Sequence, residues 1–128
     1  HAKDYVRMMW MILQADQPED WVIATGVSTS VREMVSMAFK EVGVDLEFKG
    51  KDSNEKAFIK ACHDKKYQLK IGKEVLSIDS NYYRPTEVDY LVGDPTKAKV
   101  KLGWKPEYNI ASLVREMMQS DLKSFENN

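Results

Sequence analysis

One cysteine in 128 residues, Cys62, excludes an internal disulfide framework and fits a reducing, cytoplasmic setting. An excess of charge of one sign is also missing. Nineteen Lys and Arg stand against twenty Asp and Glu, a net charge of −1, so nothing points to nucleic acid or an anionic membrane as a partner. No apolar run approaches the roughly 20 residues that span a bilayer, and the start carries no signal-peptide pattern. No repeat or low-complexity segment appears. Cys62 and His63 are adjacent, which is not metal-ligand spacing, and no second cysteine completes a site, so no metal ligand is assigned. What remains is 43% hydrophobic and 30% charged, the balance of a globular chain long enough for one modest core.

The chain begins His1-Ala2-Lys3-Asp4 and enters an apolar helical pattern at once, as a fragment of a longer protein would. Ala2 to Ala15 reads as that helix. Ala2, Val6, Met9, Trp10 and Leu13 share one face, and Tyr5, Met8, Met11 and Ile12 leave little polar surface elsewhere. Such a helix either lies at the centre of a core or packs against a domain or subunit outside this chain. Trp21–Thr25, apolar, partly β-branched and ending at Gly26, reads as a buried strand. The loop after it, Gly26-Val27-Ser28-Thr29, lacks the spacing of a dinucleotide fingerprint.

Ser30 and Glu33 form a capping box. The helix they open carries Val31, Met34, Val35, Ala38, Phe39 and Val42 as a core stripe and stops at Gly43. Leu46–Lys49 alternates as a short strand. From Gly50 to Lys73 no pattern holds, and Ala57-Phe58-Ile59 with Ala61-Cys62-His63 is a candidate short helix. Glu74–Asp79 reads as an exposed strand. Asp94-Pro95 opens a helix over Thr96–Leu102, and Trp104 anchors in the core. Asn109 caps the last helix, with Ile110, Leu113, Val114, Met117, Met118 and Leu122 on its apolar face. Residues 1–128 are thus read as a single α/β unit, a few helices with short strands and no complete doubly wound sheet.

Chemistry concentrates in Tyr82-Tyr83-Arg84-Pro85-Thr86-Glu87-Val88-Asp89, running on to Gly93-Asp94-Pro95. Pro85 fixes its own φ and biases Arg84 toward an extended conformation. A planar guanidinium suits a diphosphate, and a carboxylate suits the vicinal hydroxyls of a ribose. Arg84 and Glu87 could together hold the two halves of a nucleoside diphosphate. They could equally form an ordinary surface ion pair, worth about 0–1 kcal/mol. Taken alone, the segment leaves both readings open.

The order of several segments narrows this. His1-Ala2-Lys3-Asp4-Tyr5-Val6 comes first, followed by Trp10 and Leu13-Gln14. Pro18-Glu19-Asp20-Trp21-Val22-Ile23-Ala24-Thr25-Gly26 follows, then Ser30-Val31-Arg32-Glu33. The Tyr83–Asp89 stretch, Gly93-Asp94-Pro95-Thr96-Lys97-Ala98 and Leu102-Gly103-Trp104-Lys105-Pro106 complete the series. In this combination the chain resembles the C-terminal part of the GDP-mannose 4,6-dehydratase family, over nearly its whole length apart from about 51–73.

The resemblance implies the C-terminal substrate-binding portion of an extended short-chain dehydrogenase/reductase, preceded in the parent by a Rossmann domain that binds NADP. It implies a lyase that converts GDP-mannose to GDP-4-keto-6-deoxymannose on the way to GDP-fucose and related deoxyhexoses, working as a dimer or tetramer. By position it puts Arg84 on the diphosphate and Glu87 on the ribose hydroxyls, with Tyr82 and Tyr83 as packing residues. The family's catalytic Thr or Ser, Glu, and Tyr with Lys four residues later have no counterpart here. Tyr5, Tyr67, Tyr82, Tyr83, Tyr90 and Tyr108 all lack a Lys at the fourth position. No catalytic and no NADP-binding residue is therefore assigned to this chain. A sugar-nucleotide-binding or interaction module without catalysis, and a part of another sugar-nucleotide epimerase or reductase, remain as alternatives.

Overall fold

In a computed structural model, residues 1–83 and 90–126 are described. In chain order the elements are α1 (Ala2–Leu13), α2 (Val31–Glu41), β1 (Val44–Lys49), a 3-10 turn (Asp52–Asn54), β2 (Lys56–Cys62), β3 (Glu74–Ser77), α3 (Thr96–Leu102) and α4 (Ile110–Glu126). The mixed α/β class holds, and the three strands do not make a full Rossmann sheet. The described residues fall into two compact units, one of residues 1–29 and 90–117, the other of residues 30–83 and 118–126.

The first unit is built around the buried side of α1. Met8 is fully buried against Ala98 of α3 and Trp104, and Met11, Ile12, Trp21, Ile23 and Leu102 pack round them. Asp4 sits one turn before Met8 on the same side and is 4% exposed. Its carboxylate accepts from the backbone N–H of Glu107 (2.9 Å) and of Tyr108 (3.1 Å). Its carbonyl accepts from Trp104 Nε1 at 3.3 Å. Arg7, one turn on, reaches the Lys105 carbonyl and the Glu107 carboxylate. The stripe expected from spacing therefore faces the other way: Val6, Met9, Trp10 and Leu13 are exposed, Leu13 at 80%. Periodicity located an apolar face. The partners of Asp4 decide which face is buried.

Trp21–Thr25 forms no strand, contrary to expectation. A strand exists only through a ladder with a neighbour, and no ladder among the described residues includes this run. It lies instead close against Gly93, where an added Cβ would come within 2.7 Å of Ala24 Cβ and 3.1 Å of Val22 Cγ1. Ahead of it, Glu19 bonds Lys101 and Lys97 of α3, while Lys97 Nζ sits 4.7 Å from the centre of the Trp21 ring and donates to the Asp20 carbonyl. Gly103 ends α3 in the left-handed region at φ 66°. Asn109 Oδ1 accepts from Ser112 N at 2.9 Å and caps α4, on which Val114 is buried, as expected, and Met117 is exposed.

In the second unit the sheet order is β1-β2-β3, antiparallel throughout. Val44, Ala57 and Ile59 are its buried residues. The Ser30–Glu33 capping box is complete: Ser30 N donates to Glu33 Oε2 at 2.8 Å and Glu33 N donates to Ser30 Oγ at 3.2 Å. The helix it opens is less covered than its stripe implied. No residue of α2 is fully buried, and Val31 is 75% exposed. The helix expected around 57–63 is the central strand, β2. A bulge at Lys60 interrupts its pairing with β1. The period of two was not legible there because Ala57, Phe58 and Ile59 are apolar in succession.

Two outcomes follow from these contacts. Asp4→Ala leaves two backbone donors and an indole-bearing loop without their charged anchor, and lowers stability by about 2–3 kcal/mol in urea unfolding; an unchanged midpoint contradicts the role given to this carboxylate. Lys101 first, then Lys97, hold the Glu19 carboxyl down to about 2 from its ordinary 4.5. A depressed folded-state pKa stabilises above the unfolded value and is lost as pH falls through the folded one. The wild-type unfolding midpoint therefore drops between about pH 5 and pH 2, and Glu19→Gln makes that drop shallower. Equal slopes for the two proteins refute the assignment.

Candidate functional site

Arg84 and Glu87 lie outside the described residues, with the rest of 84–89. The approaches to them are described, each in its own unit. Before the stretch, Asp79 makes a turn: its Oδ1 accepts from Asn81 N at 2.8 Å and its carbonyl accepts from Tyr82 N at 3.0 Å. This short side chain holds the backbone where β3 has ended. Tyr82 is 83% exposed and Tyr83 is exposed too, so the packing role expected for them is not what the structure gives.

After the stretch, Tyr90 and Leu91 are exposed, and Gly93 passes close to Val22 and Ala24. Asp94 Oδ1 then accepts from Thr96 Oγ1 (2.5 Å) and Thr96 N (2.9 Å). Those two bonds, the hydroxyl first, hold the Asp94 carboxyl below its ordinary value. The helix therefore starts one residue later than expected: Pro95 holds the N-cap position without a side-chain cap, and Asp94 just ahead of it fixes Thr96 in a short side-chain turn.

The N-terminus of α2 follows a glycine-containing loop, which makes it the place to ask whether the chain could hold a dinucleotide. It does not fit one. A pyrophosphate needs free backbone donors at a helix start and glycines beside them. Here Glu33 N is taken by Ser30 Oγ, Ser30 N is taken by Glu33, and the Glu33 carboxylate already places a negative charge there. The Ser30 amide, then its hydroxyl, hold that carboxyl below its ordinary value. Among the described residues the sheet is antiparallel as well, without the parallel crossover that frames such a site.

Among the described residues no group of three His, Cys, Asp or Glu side chains is placed to hold a metal ion, and no helix is long and apolar enough to cross a membrane. Cys62 is half-buried with Sγ 3.4 Å from the Asp64 carbonyl, while neighbouring His63 pairs with Asp45 across the β1–β2 ladder at 2.9 Å. Each unit has a cavity of its own. In the first, about 540 Å³ is lined by Thr25, Val27, Asn109 and Leu113 beside the stacked rings of His1 and Tyr108, 3.9 Å apart. In the second, about 550 Å³ lies between α2 and the strands β1 and β2. Sequence reasoning singled out neither cavity, because both are assembled from residues distant in the chain.

Comparison with known proteins gives a consistent result. The family model described as GDP-mannose 4,6 dehydratase matches residues 1–117. The chain is 54% identical over 124 residues, 96% of its length, to a GDP-mannose 4,6-dehydratase of Vibrio cholerae. It is 52% identical over the same share to one of Yersinia enterocolitica, and 48% identical over all 128 residues to a GDP-mannose 4,6 dehydratase of Homo sapiens. In each case it spans about a third of the relative, 33%, 33% and 32% respectively.

Proposed function

Because this chain belongs to the GDP-mannose 4,6-dehydratase family, we propose that it is the substrate-binding portion of an enzyme that converts GDP-mannose to GDP-4-keto-6-deoxymannose, a carbon–oxygen lyase of the cytoplasm. The observation that carries the reading is the continuous family match over residues 1–117, which includes the positions of Arg84 and Glu87. The chain spans about a third of its relatives, so the reaction belongs to a longer protein. Residues 1–128 act in it as one substrate-binding portion.

In this reading Arg84 presents its fork of donors to the diphosphate of GDP-mannose, and Glu87 accepts from the ribose hydroxyls. Both belong to a stretch that Asp79 and Asp94 approach from well-anchored turns. NADP supplies the hydride chemistry of such a reaction. The start of α2, its amides taken by the Ser30–Glu33 cap, offers the pyrophosphate no site. The exposed apolar side of α1, with Val6, Met9, Trp10 and Leu13, supports contact with a cofactor-binding Rossmann part or with a second subunit of a homo-oligomer.

The test is Arg84→Ala in the whole enzyme. Loss of a charge-assisted bidentate contact weakens GDP-mannose binding by about 2–3 kcal/mol, roughly 30- to 150-fold in Kd. Arg84→Lys is also harmful, because a lysine cannot reproduce the fork. Steady-state kinetics and direct titration read both effects. An unchanged KM and kcat in Arg84→Ala removes the residue from the site.

A further inference from the structure

The cavity in the second unit has a definite charge pattern. Arg32, Ser36 and Lys40 recur every four residues on α2, so they form one row along the helix. Opposite that row stand Asp45 of β1 and Lys60 of β2. Lys60 is there because of the bulge. Asp45 pairs with Ala61 and Leu46 with Ile59, which leaves Lys60 without a partner in the ladder. A bulge re-aims its extra side chain, and this one lines the cavity.

Three cations thus border about 550 Å³ against two carboxylates, and both carboxylates are already engaged. Glu33 serves the helix cap. Asp45 is bound to His63 at 2.9 Å, and Lys40 and Lys60 act on it at longer range, all of which keep its carboxyl below the ordinary value. Arg32 pairs with Glu55 and lies 5.6 Å from the centre of the Phe48 ring. Met37, Leu46 and Phe48 supply an apolar wall. Small-molecule sites commonly have about 300–1,000 Å³, mostly apolar walls and a few convergent polar groups.

We propose that this cavity binds a small aromatic monophosphate, with the phosphate between Lys40 and Lys60 and the ring against Phe48, Leu46 and Met37. Two ammonium groups suit a dianion. Asp45 beside them sets an upper limit on ligand charge, so a monophosphate is favoured over a polyphosphate. The proposal rests on the residues lining the cavity and does not depend on the role assigned to Arg84.

The experiment is a calorimetric titration of the whole protein with phenyl phosphate, with inorganic phosphate as the second probe. The expected result is saturable binding at one site per chain, with inorganic phosphate about tenfold weaker for want of the ring contacts. Lys40→Gln combined with Lys60→Gln weakens phenyl phosphate about tenfold or more, and Asp45→Asn tightens it about threefold. Circular dichroism establishes that each variant is folded, and Asp45→Asn tests the site independently if the double lysine variant is not. No saturable heat, equal affinity for the two probes, weaker or unchanged binding in Asp45→Asn, or an unaffected double variant each overturns the proposal.

Discussion

A buried carboxylate organises the first unit. Asp4 lies in the first turn of α1 with almost no solvent contact, and two backbone amides more than a hundred residues along the chain point at it. Burying a charge is costly unless hydrogen bonds replace its water. Here the amides of Glu107 and Tyr108 do so, and the Asp4 carbonyl takes the Trp104 indole as well. The consequences spread outward. Trp104 is held against Met8 and Ala98, the 104–108 segment is fixed before α4 begins, and one side of α1 becomes the inside. The opposite side, although more apolar in sequence, is left open.

The second unit depends on local chemistry instead. Its helix starts on a reciprocal cap between neighbours in sequence, and its strands are joined in succession as an antiparallel sheet. The two units therefore illustrate two ways of specifying a fold. In one, a few contacts over very long separations decide the outcome. In the other, short-range rules act and the core is correspondingly small, with Val44, Ala57 and Ile59 carrying it.

This difference explains what could be read from the chain alone. Capping signals were legible because cause and effect lie within a few residues: Ser30 with Glu33 and Asn109 with Ser112. The Gly43 and Gly103 stops were legible for the same reason, both having positive φ. The inner face of α1 was not, because spacing counts apolar residues and cannot see the amides awaiting Asp4. Trp21–Thr25 has the composition of a strand, yet a ladder needs a partner that no local pattern announces. β2 was missed because Ala57-Phe58-Ile59 is apolar in succession and shows no period of two. Arg84 and Glu87 were proposed as substrate contacts from the chemistry of two side chains and the resemblance, and both lie outside the described residues. The cavity beside Lys60 had no signal at all, since it requires the bulge and the helix row together.

The arrangement of the first unit also has a bearing on how the protein is made. Its two parts, 1–29 and 90–117, are separated in sequence by the whole β-sheet. On a ribosome adding roughly 5–20 residues per second, about 5–20 s pass between synthesis of Asp4 and of the amides that receive it. For that interval α1 has neither Trp104 nor α3 to cover Met8, while the sheet, which needs only its own residues, can close. Met8 therefore waits for Ala98 and Trp104 while the whole sheet is made, and the first unit closes only after the strands of the second are available.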